Sequence, residues 1–97
     1  MSDNPIKVLE KQSGLIRLLI YLKDKPPVNV QSIIDDSDIY PNIMYASIRK
    51  AKEIALIYDR VDNSKYPPRT ILNLTDKGRR VAQKLKEIEE ILKGEFS

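Results

Sequence analysis

The side chains of this 97-residue chain that could do chemistry are carboxylates, lysines, arginines and hydroxyls, because the sequence contains neither cysteine nor histidine. Disulfides and thiolate or imidazole metal sites are therefore excluded, as are nucleophilic mechanisms that rely on a Ser-His or Cys-His pair. No paired carboxylates, Gly-rich phosphate loop or metal-binding set stands out, and the acidic run at 35–38 is typical of a helix end. We therefore expect neither an enzyme nor a bound cofactor.

Basic side chains are concentrated in two segments. In the first, Arg49, Lys50 and Lys52 lie in a stretch, 39–52, that contains no acidic residue. In the second, from 60 to 80, two acids accompany six basic residues, which are Arg60, Lys65, Arg69, Lys77, Arg79 and Arg80. The net charge of +3 is small, so the position of the charge matters more than its sum. Two basic clusters favour an anionic partner such as nucleic acid.

Hydrophobic spacing predicts the elements that position these cations. The segment 14–23 (GLIRLLIYLK) is apolar nearly all round, which indicates a mostly buried helix that ends before two prolines. The preceding segment 5–11 predicts either a separate short helix or the first turns of the same one. The segment 28–36 predicts a short helix capped by Asn29.

Residues 41–55 predict an amphipathic helix with a proline in its first turn. Its apolar stripe, at helical spacing, is Met44, Ile48, Ala51 and Ala55. A rotation of ~100° per residue puts four residues on the opposite face, namely Asn42, Ala46, Arg49 and Glu53. The residues that flank this face are Tyr45 and Lys52 on one side and Lys50 on the other.

Two short strands and a long helix complete the chain. The strands are predicted at 56–61 (LIYDRV) and 69–74 (RTILNL), and the loop between them, about 62–69, is basic and contains two prolines. The last helix is predicted to begin behind a Thr75 cap and to end at about Lys93. Its apolar stripe is Val81, Leu85, Ile88 and Leu92, widened by Ile91.

Two short helices joined by a tight turn and followed by a hairpin form a winged helix-turn-helix. The predicted fold is therefore mainly α with a small β-hairpin (α+β), in a single domain spanning 1–97. Its parts are a core winged helix at about 14–75 and a long C-terminal helix at about 75–94. In this fold the helix at 41–55 is the recognition helix, which enters the DNA major groove. The wing, the loop at 62–69, lies on the backbone or in the minor groove.

Three segments resemble a known group of proteins. The segment 45–57 (YASIRKAKEIALI) is similar to the turn-and-recognition-helix signature of archaeal and bacterial winged-helix regulators of the MarR and PadR type. The segments 9–22 and 73–85 (NLTDKGRRVAQKL) resemble the first helix of the archaeal members and the junction into their last helix. Ala55 is a departure, since the group usually has glycine there. The resemblance implies sequence-specific binding of double-stranded DNA by a transcriptional regulator.

The predicted DNA contacts lie on the recognition helix and the wing. Asn42 can pair with adenine N6 and N7, or it can cap the helix instead. Tyr45 either contacts DNA or is partly buried against the preceding helix, and Arg69 is the residue expected to reach a minor groove. The cations either contact DNA or form a solvated helix surface. The full set is Asn42, Tyr45, Ala46, Arg49, Lys50, Lys52, Arg60, Lys65, Tyr66 and Arg69.

The last helix is predicted to join two copies of the chain. Packing within one chain covers part of its apolar stripe, and antiparallel pairing with the last helix of a second copy covers the rest. The predicted contacts are Val81, Leu85, Ile88 and Leu92. Because the first half of this helix is basic and the second half acidic, antiparallel pairing would bring opposite charges together.

Three functions remain open. The first is a homodimeric transcriptional regulator. The second is a plasmid-partition (centromere-binding) or architectural chromatin protein that spreads along DNA, with Ile43 and Ile54 as candidate contacts between neighbouring dimers. The third is a protein-interaction winged helix without DNA binding, which the clustered cations disfavour. No apolar run is long enough for a membrane span or a signal peptide, so we expect a cytoplasmic, nucleoid-associated protein.

Overall fold

Helices and a small sheet alternate along the chain in the order of a winged helix-turn-helix. The computed structural model describes residues 4–25, 27–64 and 66–94. Its elements are α1 (Pro5–Lys11), α2 (Leu15–Leu22), β1 (Val28–Asn29), α3 (Val30–Asp36), α4 (Pro41–Glu53), β2 (Ile57–Asp62), β3 (Arg69–Leu74) and α5 (Asp76–Leu92). Within these ranges, no helix combines the length and the apolar character that a membrane crossing requires.

Gly14 separates the first two helices. The Asn4 side chain accepts a hydrogen bond from the Ile6 amide at 2.8 Å and caps α1. Gly14 has a φ of 87°, a left-handed conformation that glycine adopts at no steric cost because it lacks a Cβ. Residues 5–11 are therefore a separate helix, which settles the alternative that the sequence left open.

α2 is the centre of the core, and both α4 and α5 pack on it. The buried core includes Met44 and Ile48 of the predicted α4 stripe, together with Leu15, Leu18, Leu19, Leu22, Ile33, Leu72 and Leu74. The prediction of a mostly buried helix is confirmed, and the exposed side of α2 is formed by Ile16, which is 37% exposed, and Arg17.

α3 and α4 form the helix-turn-helix. The Asn29 side chain accepts a hydrogen bond from the Ser32 amide at 2.7 Å and caps α3, as predicted. α3 ends at Asp36, and the turn at 37–40 leads into α4. The helix predicted at 41–55 is therefore present, although it ends at Glu53.

The buried stripe of α4 differs from the prediction at two positions. Ala55 was expected in the stripe, but it is exposed and follows the end of the helix with a φ of 62°. This left-handed conformation costs a residue with a Cβ roughly 1–2 kcal/mol, which explains the usual glycine at such a helix end. Ser47 lies in the stripe instead, fully buried, and its hydroxyl donates to the Ser13 carbonyl at 2.7 Å.

The predicted hairpin belongs to a three-stranded antiparallel sheet with the order β1-β3-β2. β2 and β3 pair from Ile57–Leu74 at the base to Asp62–Arg69 at the wing. Val28 of β1 pairs with Leu72 of β3, so the strand that precedes α3 fixes the helix-turn-helix to the wing.

α5 is held at its first turn. The Thr75 hydroxyl accepts a hydrogen bond from the Gly78 amide at 2.9 Å, as predicted for its cap, and donates to the Ala55 carbonyl at 2.6 Å. Gly78 is buried, and a Cβ at this position would overlap the Leu56 carbonyl oxygen. The predicted end of this helix is confirmed within a residue, since α5 ends at Leu92.

Candidate nucleic-acid interface

α4 exposes the face that was predicted to enter the groove. Its opposite side packs on α2, while Asn42 and Arg49 are exposed and Ala46 is half-buried. Asn42 does not cap the helix, because the N-cap residue is Tyr40 and makes no side-chain capping bond. The alternative that the Asn42 side chain caps this helix is therefore wrong.

The three cations of α4 have different electrostatic environments. Lys50 Nζ lies 2.8 Å from Glu53 Oε2, and this hydrogen bond lowers the pKa of the Glu53 carboxyl. Lys52 Nζ lies 2.8 Å from Asp59 Oδ2 on β2, so this ion pair links two elements. Arg49 forms no ion pair in the described ranges, although its charge also contributes to lowering the pKa of the Glu53 carboxyl. Its guanidinium group is thus the one on α4 whose donors no described carboxylate engages.

The wing projects from β2 and β3 beside α4. Tyr66 is 97% exposed, Arg69 is exposed at the start of β3, and Arg60 is exposed on β2. Among the described residues, neither arginine has an ion-pair partner. Lys65, which was also predicted as a wing contact, lies outside the described residues.

A cleft of about 740 Å³ lies between α4, the start of α3 and the wing. Tyr45 and Ile48 line its α4 side, and Arg69 lines its wing side. Polar groups on the remaining walls belong to Asn29, Gln31, Ser32, Asp35, Asp59 and Thr70. Tyr45 is 49% exposed, so about half of its side chain is open to a ligand in the cleft.

Both carboxylates of this cleft already have a partner. Asp35 accepts a hydrogen bond from the Gln31 side-chain amide at 2.9 Å, whereas Asp59 is bound by the Lys52 ammonium. The two acids therefore differ in what they engage, a neutral donor in one case and a cation in the other. An anionic ligand in the cleft would meet one neutralised and one hydrogen-bonded carboxylate.

α5 divides its predicted dimer residues between the core and the solvent. Val81 and Leu85 are partly buried against the core of their own chain. Ile88 is 51% exposed, Ile91 61% and Leu92 81%. Packing within one chain therefore covers the first half of the stripe and leaves the second half exposed.

Some charges of α5 are paired within the chain. Lys86 Nζ lies 2.9 Å from Glu89 Oε1, and this hydrogen bond raises the pKa of Lys86 and lowers the pKa of Glu89. Lys84 and Glu87 make a longer pair at 3.9 Å. These i, i+3 pairs weaken the charge argument for antiparallel pairing, because part of the opposite charge is compensated locally.

The sequence did not predict the roles of Ser47, which is buried on the core side of α4, and Asp59, which lines the cleft. Ser47 follows Met44 by three residues and precedes Ala51 by four, so helical spacing alone could have assigned it to the buried side. Asp59 gave no such signal, because its partner Lys52 is on another element and the pair depends on how the chain turns between them.

The chain is similar in structure to several solved proteins. A protein of Porphyromonas gingivalis assigned to the MarR family of transcriptional regulators is 18% identical, with 93% of this chain and 92% of that chain covered and a TM-score of 0.71. A protein of Archaeoglobus fulgidus is 25% identical, with coverage of 92% and 97% and a TM-score of 0.69. A PadR-like transcription factor of Bacteroides fragilis is 20% identical, with coverage of 94% of both chains and a TM-score of 0.67.

No family model and no curated protein matches the sequence. The likeness therefore lies in the structure, and it extends over nearly the whole length of each chain. The predicted winged helix-turn-helix, with its small sheet and C-terminal helix, is confirmed, and so is the resemblance to MarR and PadR regulators at the level of the fold.

Proposed function

We propose that this protein binds double-stranded DNA sequence-specifically as a homodimer and acts as a transcriptional regulator. The observation that carries the proposal is the exposed face of α4 beside an exposed basic wing, with Arg49, Arg60 and Arg69 unpaired in the described part of the chain. Exposed guanidinium groups match phosphate oxygens and guanine edges in geometry. The MarR and PadR proteins of the same fold support a role as a transcriptional regulator.

In the proposed complex, α4 enters the major groove and the wing reaches the neighbouring backbone or minor groove. The sugar–phosphate ridge between the two grooves then lies along the cleft, where Tyr45 and Thr70 offer hydroxyl donors. Asn42 and Arg49 are the candidates for base edges. The proposed contacts are Asn42, Tyr45, Ala46, Arg49, Lys50, Arg60, Lys65, Tyr66 and Arg69, whereas Lys52, also predicted from the sequence, is engaged by Asp59.

The homodimer is proposed because a single winged helix contacts few base pairs. Two copies joined through α5 would present two α4 helices to half-sites about one DNA turn, ~34 Å, apart or a multiple of it. The proposed contacts between the copies are Val81, Leu85, Ile88 and Leu92. Of these, the exposed Ile88 and Leu92 are the stronger candidates.

A protein that spreads along DNA is less well supported. Ile43 and Ile54, the candidate contacts between neighbouring dimers, are both partly buried against the core of their own chain. A genomic footprint separates the two functions. Isolated promoter sites are expected of a regulator, and a continuous tract is expected of a partition or architectural protein.

The dependence of affinity on salt tests DNA binding directly. About four phosphate contacts per protomer predict a slope of log K against log salt near −7 for the dimer, at about −0.9 per contact. The slope would be obtained by titrating a labelled duplex at several salt concentrations. A slope flatter than about −2 would contradict DNA binding and favour a protein-interaction domain.

A further inference from the structure

The ion pair between Lys52 and Asp59 lies within the proposed DNA-binding surface. Lys52 is on the flank of α4 that faces β2, and Asp59 lines the cleft between α4 and the wing. Their charged atoms are 2.8 Å apart, and both side chains are partly exposed, at 44% and 36%. A phosphate in this cleft would therefore approach the Asp59 carboxylate, which already engages the Lys52 ammonium of the same chain.

We propose that Asp59 is a positioning residue that limits DNA affinity by holding Lys52 away from the phosphate backbone. The proposal rests on the DNA-binding function proposed above and assigns a specific role within that surface. The Asp59 carboxylate accepts the hydrogen bond from the Lys52 ammonium that a phosphate oxygen would otherwise accept. It also holds this ammonium against β2. Removing its charge would release Lys52 for one additional phosphate contact per protomer.

An exposed ion pair is weak, so Asp59 competes with a DNA phosphate for the Lys52 ammonium and does not prevent DNA from binding. The competition is effective because Asp59 belongs to the β2–β3 pairing, opposite Leu72, and its carboxylate lies 2.8 Å from the Lys52 ammonium of the same chain. A phosphate, in contrast, must first be brought in by the rest of the complex. The Lys50–Glu53 pair is different, since both residues lie on one helix at i, i+3 and Lys50 is on the other flank of α4.

The chain offers a matched control for the loss of charge. Asp35 lines the same cleft, but its partner is the Gln31 amide, so Asp35→Asn removes one negative charge without releasing a cation. Asp59→Asn removes the same charge and also releases Lys52. The difference between the two variants therefore reports the released lysine.

The experiment measures binding of a random-sequence duplex at about 50 to 200 mM salt for the wild type, Asp35→Asn, Asp59→Asn, Lys52→Met and the double variant Lys52→Met/Asp59→Asn. We expect Asp59→Asn to bind more tightly than Asp35→Asn and to have a salt slope steeper by about 0.9 per protomer. That slope corresponds to a further loss of about 3.5-fold in affinity per protomer across this salt range. In the Lys52→Met background, Asp59→Asn should have no more effect than Asp35→Asn has in the wild type.

Circular dichroism and thermal melting would establish that each variant is folded before its slope is compared. The proposal is overturned if Asp59→Asn and Asp35→Asn give the same affinity and slope, or if Asp59→Asn weakens binding. The latter result would mean that the bridge supports the binding geometry of α4. If the affinity of the wild type for DNA does not depend on salt, the proposed function itself is overturned. If the wild type has a steep salt slope but Asp59→Asn changes the affinity and slope no more than Asp35→Asn does, this inference alone is overturned.

Discussion

Arg49 and Arg69 are both exposed and unpaired among the described residues, but they lie on elements that would approach DNA differently. Arg49 is on α4, where a side chain can reach base edges in the major groove, and Arg69 is at the wing. We predict that Arg49→Ala weakens binding to the preferred site by about 1–3 kcal/mol and relaxes its sequence preference. Arg69→Ala should weaken all sequences more evenly. Affinities for the preferred site and for random DNA test both.

Arg17→Ala is the matched control. Arg17 is an exposed arginine on α2 that lines a separate cleft with Tyr21 and Glu89, so its loss should leave DNA affinity nearly unchanged. If Arg49→Ala weakens preferred and random DNA equally, Arg49 is a phosphate contact and sequence is recognised elsewhere on the surface.

For individual residues, the sequence predicts which charged side chains are exposed but not which of them form ion pairs. Helical periodicity correctly assigns Arg49, Lys50 and Lys52 to the open side and flanks of α4. It carries no information on the Asp59 carboxylate, because that contact depends on the angle between α4 and β2. Whether the predicted residues contact DNA stays a prediction.

The packing of α5 against the turn after α4 depends on a single glycine. Gly78 lies in the first turn of α5 against the Leu56 carbonyl, where a methyl group has no room. Because the obstacle is backbone, the helix itself would have to move, and overpacking of this kind costs typically about 1–3 kcal/mol. We predict that Gly78→Ala lowers the free energy of unfolding by at least this amount, measured by urea denaturation.

Gly94→Ala is the control for a glycine without a packing role. Gly94 follows α5 with a φ of 78°, and no atom lies within 4 Å of where a Cβ would be. Its substitution should therefore cost only the roughly 1–2 kcal/mol of a left-handed residue, or less if the helix end frays. A Gly78→Ala variant as stable as the wild type would mean that α5 can move away from Leu56 freely.

The elements themselves follow from local rules, and their exceptions come from tertiary contacts. β3 has the predicted bounds, and Asn29 and Thr75 cap their helices, because strand alternation and side-chain capping depend on neighbours in sequence. Ala55 departs from the pattern, since the chain must turn there to begin β2 and the hydrogen bond from Thr75 holds its carbonyl. A left-handed alanine is unfavourable locally, and only the surrounding packing makes it possible.

For the whole molecule, the question is whether the uncovered part of α5 can hold two copies together. Ile88 and Leu92 are 51% and 81% exposed, so their full burial in both chains would contribute about 4–8 kcal/mol, with roughly 1.5–3 kcal/mol for each fully buried side chain. Association itself costs about 4–15 kcal/mol. Ile88 and Leu92 alone would therefore not hold two copies together, and the proposed interface needs further contacts, for which the 61% exposed Ile91 is the nearest candidate.

We predict that Ile88→Lys/Leu92→Lys produces a folded monomer that has lost specific DNA binding. Four ammonium groups would enter the proposed interface without partners, whereas in one chain both side chains are largely in solvent already. Leu85 is left unchanged because it is partly buried against its own core, and its substitution would confuse dissociation with unfolding. Sedimentation measures the oligomeric state, circular dichroism measures the fold, and titration with duplex DNA measures the affinity.

Val61→Lys is the control. Val61 is an apolar residue of β2 that is 59% exposed, and its substitution should leave the oligomeric state of the wild type unchanged. A double variant that still sediments as a dimer would show that the two copies meet through another surface.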